Sequence, residues 1–316
     1  MTTPISGMPH VVALGGGHGL AATLRAARRL TSNITAVVGV SDDGGSSGRL
    51  RRDFGCIPPG DLRMALAALC GDDVSGETWA RVVQHRFGGR GDLAGHALGN
   101  LLITALWEET GDIVAGLDWV ASLLGAKGRV LPLATRPLDL VAEVVAADGS
   151  AAASVHGQVA IARTEGRVRE VTLVPESLPA TPSALEAVLT ADSVIMGPGS
   201  WYTSVLPHLL LPDMRRALAS TSATRICVLN LVPQAGETSH FEPHTHLDVL
   251  AQAAPEMRFD IVVADRGSVD DVTALTAAAS RLGARLQLAD VADPLSPGRH
   301  HPDRLAVALH RALGAQ

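Results

Sequence analysis

Directly behind the apolar run Val11–Leu14 the chain places four glycines in five residues, Gly15-Gly16-Gly17-His18-Gly19, and then runs into a helical pattern at Leu20. So many residues without a Cβ weaken a turn unless something must approach the backbone closely. A strand that breaks into glycines before a helix also leaves unpaired N–H groups and a positive helix end where a phosphate can sit. The run is neither a strict dinucleotide fingerprint, since Leu20 stands at the third glycine, nor a P-loop, since no Gly-Lys-Ser/Thr follows.

The pattern repeats along the chain. Strand-like runs Val11–Leu14, Ala36–Val40, Ser193–Met196, Arg225–Asn230 and Asp260–Ala264 alternate with helical patterns, the signature of a parallel sheet covered on both faces. This predicts an α/β protein, Rossmann-like and three-layered (α/β/α), with a mainly parallel sheet. Between the second and third runs lies an insertion. From Asp61 to about Leu124 it reads as helical, with apolar residues recurring at Leu93, Leu98, Leu101, Leu102 and Leu106. Thereafter Leu138–Ala147, Val155–Ala162 and Val168–Val174 read as strands, separated by the turn-formers Asp148-Gly149 and Glu165-Gly166. We expect a single domain over 1–316, with a helical insertion at about 61–130 and a small antiparallel β element at about 138–175. A helix from about Ser183 to before Asp192, and others over Asp270–Leu282 and Pro302–Leu313, complete the cover.

With 316 residues and 47% hydrophobic content the chain can bury a large core. Its apolar runs fall far short of the roughly 18 residues of a membrane span. Met1–Pro9 lacks the basic, apolar and small-residue order of an export signal, so a cytoplasmic protein is expected. A net charge of -6 without a Lys/Arg-rich run argues against a nucleic-acid surface. Cys56, Cys70 and Cys227 are isolated and read as core thiols.

Parallel strands end on one sheet edge, so the loops behind them should line one crevice. Asp42-Asp43-Gly44-Gly45-Ser46-Ser47-Gly48 brings two carboxylates, able to accept from ribose hydroxyls or to hold a magnesium ion shared with phosphates, beside N–H and O–H donors. Asp61, behind Pro58-Pro59-Gly60, reads equally as helix-starting chemistry. Asn100, in Gly95-His96-Ala97-Leu98-Gly99-Asn100, either faces the crevice or caps a neighbour. Gly197-Pro198-Gly199-Ser200 follows a further strand and opens a helix, a second candidate anion site. Trp201 and Tyr202 beside it are read either as a stacking surface for a base or as core. His240, His244 and His246 lack the carboxylate pattern of a metal site and read as surface or helix-start residues. Arg299 offers a planar guanidinium to a phosphate.

Gly-Gly-Gly-x-Gly-Leu, Asp-Asp-Gly-Gly-Ser-Ser-Gly-Arg-Leu, Pro-Pro-Gly-Asp-Leu-Arg, Leu-Gly-Asn-Leu, Gly-Pro-Gly-Ser-x-Tyr-Thr-Ser and Gln-x-Gly-Glu-Thr occur in this order over nearly the whole chain. The series resembles the YvcK family, the gluconeogenesis factors of the CofD-like superfamily. The resemblance implies a UDP-sugar-binding regulatory protein, with UDP-N-acetylglucosamine the foremost ligand, linked to cell shape and peptidoglycan synthesis. It implies a binding protein ahead of an enzyme; any catalysis would be transfer of a phosphorus-containing group. The alternative is a CofD-like 2-phospho-lactate transferase acting on a deazaflavin with magnesium. By resemblance the ligand should meet Gly16, Gly17, His18, Gly19, Asp42, Asp43, Ser46, Asp61, Asn100, Gly197, Pro198, Gly199, Ser200 and Arg299. Magnesium accompanying the nucleotide is the one candidate cofactor, and no motif assigns a catalytic residue. Expected partners are regulators of cell-wall synthesis and further copies of the chain, with no nucleic acid and no membrane span. The chain departs from the family pattern in His18 for Thr, Ala235 for Pro, and His301 for the Asp of an Arg-His-Asp triplet. CofD-type chains carry Pro-Asp-x-Asp in place of Pro59-Gly60-Asp61, which sets this chain on the YvcK side.

Overall fold

The structure is a computed structural model that describes residues 8–145, 153–164, 166–234, 237–239 and 241–314. Its centre is a seven-stranded parallel sheet in the order β10-β9-β8-β7-β1-β2-β3. The strands are β1 (Val11–Gly15), β2 (Ile34–Val38), β3 (Arg129–Pro132), β7 (Ser193–Met196), β8 (Thr224–Val228), β9 (Ile261–Asp265) and β10 (Arg285–Ala289). Every residue of β1, β2, β7 and β9 is buried, as an all-parallel sheet covered on both faces requires. The cover comes from α1 (Gly17–Ala27), α3 (Gly60–Leu69), α8 (Pro182–Thr190), α10 (Pro212–Ser220), α11 (Pro243–Ala253), α12 (Val272–Arg281) and α13 (Pro302–Gly314). Helix α1 packs on α3 and α13, α8 on α10, and α11 on α12. This is the three-layer α/β/α fold that the alternating apolar runs predict.

Between β2 and β3 the chain forms α2 (Gly45–Phe54), α3, α4 (Val74–Gln84), α5 (Leu98–Thr110) and α6 (Ile113–Leu124). Leu93 does not belong to this helical run. Gly88, Gly89, Gly91 and Gly95 break the chain between α4 and α5, and Leu93 lies in a turn, 55% exposed. The small antiparallel sheet follows, in the order β5-β4-β6, from β4 (Asp139–Val145), β5 (Ala153–His156) and β6 (Arg167–Val174). The strand read over Val155–Ala162 stops at Gly157, whose φ of 89° turns the chain into a short helix α7 (Gln158–Ala162). The Asp43 carboxylate fixes that turn by accepting the Val159 N–H at 2.9 Å. Asp148-Gly149 and Glu165 lie outside the described residues. Two edge strands carry no clear sequence signal. Strand β3 has only four residues, one of them proline, and β10 is largely half-exposed. Cys70 and Cys227 are buried free thiols, while Cys56 is half-buried. No helix among the described residues is long and apolar enough to cross a membrane.

From β1 the chain steps outward through β2 to β3, then returns and steps the other way through β7, β8, β9 and β10. The order reverses between β1 and β7, and open α/β sheets place their ligand crevice outside such a reversal.

Candidate functional site

The parallel register Val11↔Ile34 and Val11↔Ser193 sets the carboxyl ends of β1, β2 and β7 side by side. The glycine loop after β1 and the Gly197–Ser200 loop after β7 therefore meet. They meet main chain to main chain: a Cβ on Gly19 would collide with the Pro198 carbonyl and lie 2.7 Å from the Gly199 Cα. Thr23 Oγ1 in α1 donates to the Gly197 carbonyl at 2.9 Å. From the end of β8, Asn230 accepts the Gly199 N–H (2.9 Å) and donates to the Gly199 carbonyl (2.8 Å), so its carboxamide serves only to hold that loop. Gly17 turns the first loop into the helix with a φ of 57°, a region open to glycine. Gly16 at the N-cap of α1 has no side chain to cap it, and the Asp61 carboxylate takes the Gly17 N–H, so other N–H groups of the first turn remain at the positive end of the helix.

At this junction lies a cleft of about 320 Å³ lined by His18, Gly19, Ala22 and Arg25 from α1, Pro198 and Gly199, Leu231, Val232 and Gln234 beyond β8, and Arg299 before α13. Neither the Arg25 nor the Arg299 guanidinium has a hydrogen-bond or ion-pair partner among the described residues. Burial, together with Arg299, Arg25 and Arg63, holds His18 below its ordinary pKa, and Arg25 is lowered by burial, Arg28 and Arg299. Each of these groups thus disfavours positive charge on the others. The one carboxylate on the cleft wall among the described residues, Asp293, accepts the Leu295 N–H of its own loop at 2.9 Å.

On the other side of the glycine loop stands an acidic group. A Cβ on Gly16 would strike the Asp61 carboxylate and lie 3.2 Å from Ser204 Oγ; a Cβ on Gly60 would lie 3.0 Å from Asp42 Oδ2. Burial, and then the Asp42 charge, push the Asp61 carboxyl up to about 7, against the opposing pull of the Gly17 N–H and Arg63. Arg63 is buried, brought down to about 10 chiefly by burial, and donates from Nη1 to Asn100 Oδ1 at 3.1 Å. Asn100 Nδ2 in turn donates to Ser46 Oγ (3.0 Å), which also bonds His96 Nδ1 (3.0 Å). Ser46 and Asn100 are thus brought together, as the buried support of Arg63.

The raised Asp61 has a measurable consequence. Folded Asp61 resists ionisation that the unfolded chain accepts above its ordinary value of 3.8, so it costs the fold increasingly as pH climbs towards 7. Asp61→Asn is therefore expected to gain on the parent protein between pH 4 and 7, by as much as ~4 kcal/mol in urea unfolding. A difference that stays constant across this range would contradict the burial of the charge.

Behind the second loop, Ser200 Oγ donates to the buried Glu237 carboxylate, 2.6 Å from each oxygen, and Thr203 Oγ1 and the Tyr202 N–H add further bonds. Burial raises Glu237 above the usual carboxylate range despite these donors. The loop does not open a long helix: Ser200 caps a five-residue π-turn, Trp201–Val205, and then a single helical turn, α9 (Pro207–Leu210). It presents no helix N-terminus comparable to that of α1. Trp201 (0% exposed) and Tyr202 (3%) fill the core, so neither offers a stacking face. His246 is likewise buried, edge-on to Trp201 at 4.9 Å, rather than at the surface. His244 lies in the first turn of α11, and His240 lies outside the described residues.

Of the positions expected at a ligand, His18, Gly19, Pro198, Gly199 and Arg299 line the cleft. Gly16 and Gly17 sit between it and Asp61 and Asp42. Gly197 and Ser200 are held by Thr23 and Glu237, and the Asp43 carboxylate is turned to α7. Sequence reading missed Arg25, Arg63, Gln234 and Glu237. Arg25 had a signal, because residues 18, 22 and 25 share one face of a 3.6-residue helix. Arg63 and Glu237 stand inside quoted motifs, but their partners are 37 residues away in each case.

Comparison with known proteins places these features in a family. The model of the family described as 2-phospho-L-lactate transferase CofD matches residues 11–290. A protein of Mycobacterium tuberculosis (strain ATCC 25618 / H37Rv) is 51% identical over 304 residues, 95% of this chain and 89% of its own length. The gluconeogenesis factors of Listeria monocytogenes and Bacillus subtilis are 39% and 38% identical, over 77% of this chain in both cases and 73% and 74% of theirs. The crystal structure of a UPF0052-family protein from Bacillus halodurans superposes with a TM-score of 0.85 at 31% identity, covering 96% of this chain and 99% of that one.

Proposed function

The chain belongs to the CofD family, on its gluconeogenesis-factor (YvcK) side, and from that premise we propose that it is a regulatory protein that binds a UDP-sugar, UDP-N-acetylglucosamine foremost. The observation that carries this reading is the pair Arg25 and Arg299, partnerless among the described residues, near the N-terminus of α1 and the reversal point of the sheet. A diphosphate supplies the charge these groups face and accepts from the N–H groups of the first turn. Leu231 and Val232 offer an aliphatic wall to the rest of the ligand. The sugar hydroxyls find acceptors in Asp42 and Asp61 across the glycine loop. In this reading the bound protein, through partners in cell-wall synthesis, couples nucleotide-sugar supply to cell shape.

Calorimetric titration with UDP-N-acetylglucosamine should give a saturable isotherm, weakened about tenfold to a hundredfold by Arg299→Ala or Arg25→Ala, the range for losing one charge-assisted bond. No heat at high protein concentration would sink the reading.

One observation favours a second reading, a CofD-type phospholactate transfer to a deazaflavin. Asp61 is raised partly by Asp42, and a divalent cation between two such carboxylates would relieve that repulsion. Asp42 and Asp61 would hold magnesium, which needs only one or two carboxylates when phosphates complete its shell and would neutralise charge on a transferred phosphoryl group. Incubation with a deazaflavin acceptor, an activated phospholactate donor and magnesium tests it, and a chromatogram without product retires it.

A further inference from the structure

We infer that two copies of this chain associate through the outer face of α6, each helix lying antiparallel to its counterpart about a two-fold axis at Trp119. Helix α6 turns Leu117, Val120 and Leu124 into the core. Its opposite face runs through Ala115, Trp119, Ser122 and Leu123, at the three- and four-residue steps of one helix stripe, and carries no charge. Trp119 is 64% exposed and Leu123, one turn on, 49%. Asp118, next to Trp119, is taken by Arg129 in two bonds of 3.0 and 2.7 Å. Alongside, α5 leaves Ala105 exposed and Leu101, Leu102 and Leu106 half-buried. A helix face that meets only water is ordinarily polar, and an exposed apolar patch of this kind marks an interaction site.

The charges at the two ends of the stripe say what covers it. Glu109 and Asp112 stand exposed ahead of α6, and Lys127, the only lysine of the chain, stands exposed behind it. None of the three has an ion-pair partner among the described residues. Asp112 accepts the Ala115 N–H at 2.9 Å with one carboxylate oxygen, which leaves the other for a cation. Positions 112 and 127 lie equally far from the middle of the helix, between Trp119 and Val120. A second copy laid antiparallel across Trp119 therefore sets Lys127 of each protomer against Asp112 of the partner subunit, at both ends at once. A parallel arrangement would set acid against acid. The face is thus complementary to itself, as a closed two-fold contact requires, and has at its centre a tryptophan, a residue type that often carries the energy of an interface.

The face shares no residue with the cleft, so the test does not depend on the nucleotide-sugar reading. Sedimentation equilibrium of the full-length chain should show a reversible monomer–dimer equilibrium with a Kd of about 10 μM or below. Trp119→Glu should raise that Kd at least about a hundredfold, because the substitution enters the contact twice. Lys127→Glu should weaken association about tenfold at low salt and recover most of it at about 0.5 M salt, whereas the parent dimer should weaken as salt rises. That reversal of the salt dependence cannot arise from partial unfolding. A parent chain that stays monomeric to about 100 μM overturns the inference. So does a dimer whose Kd neither variant changes, since it would be built on another face. Should Trp119→Glu lose its fold, Lys127→Glu decides alone, and a parent-like salt dependence there counts against the contact.

Discussion

Gly19→Ala is expected to lower the melting temperature by roughly 4–5 °C and to abolish binding of UDP-N-acetylglucosamine, the first effect following from about 3 kcal/mol of overpacking in a protein of this size. The added methyl would meet main chain, the Pro198 carbonyl and the Gly199 Cα, and neither can rotate away as a side chain would. Pro198 and Gly199 are themselves pinned, because Gly199 is gripped by Asn230 and Gly197 by Thr23. Relief therefore requires α1 and the second loop to separate, which pulls His18 and Arg25 away from the wall that Gly199 shares with them. Gly91→Ala is the control, since nothing lies within 4 Å of a Cβ there, and it should shift stability by less than about 0.5 kcal/mol. Thermal unfolding with and without the nucleotide sugar reads both effects. A Gly19→Ala protein as stable as Gly91→Ala would show that the two loops do not touch.

The second large effect is acid lability. His208, His246 and His300 are buried, and burial brings each down to about 4, from an ordinary value of 6.5. All three stay neutral in the folded protein while the unfolded chain takes up protons below about pH 6.5, so stability falls as the pH drops from 6.5 towards 4. Each group contributes a slope of ~1.4 kcal/mol per pH unit, about 4 for the three. Asp61 acts in the opposite sense over the same window, because its folded form keeps the proton that the unfolded chain gives up, and it offsets about one such share. The histidines win by three shares to one, leaving a net loss near ~3 kcal/mol per unit. From pH 6.5 to 4 the loss sums to about 7 kcal/mol, a large share of a total stability of about 5–15 kcal/mol. Urea unfolding at a series of pH values measures the slope. His208→Gln should reduce it by about 1.4 kcal/mol per unit, and a stability that is level between pH 7 and 5 would refute the account.

The difference between what could be read early and what could not follows the range of the interactions. Gly17 and the loops after β1 and β2 are legible because each answers a local demand, a positive φ or a strand end, that a few neighbouring residues reveal. Gln234 is not, since its place in the cleft wall depends on the packing of β8 and α13 against α1. Asp43 was expected at a ligand because it follows a strand; only the fold shows its carboxylate meeting Val159, 116 residues away. Trp201 and Tyr202 have equal claims to core and crevice as letters, and the turn of the π-segment settles them in the core. Strands β3 and β10, short or half-exposed at the sheet's edges, lack the apolar run that betrays an interior strand.

The order of the amino acids by itself determined the parallel sheet, the edge on which its loops collect, and the motifs that mark the family. Periodicity and glycine placement are properties of short stretches, and they survive without knowledge of neighbours. The tertiary structure alone decided which charges would be left without partners. Arg25 and Arg299 stand without partners among the described residues, while Arg63 and Glu237 are engaged, because solvation and ion pairing depend on what distant segments bring within a few ångströms.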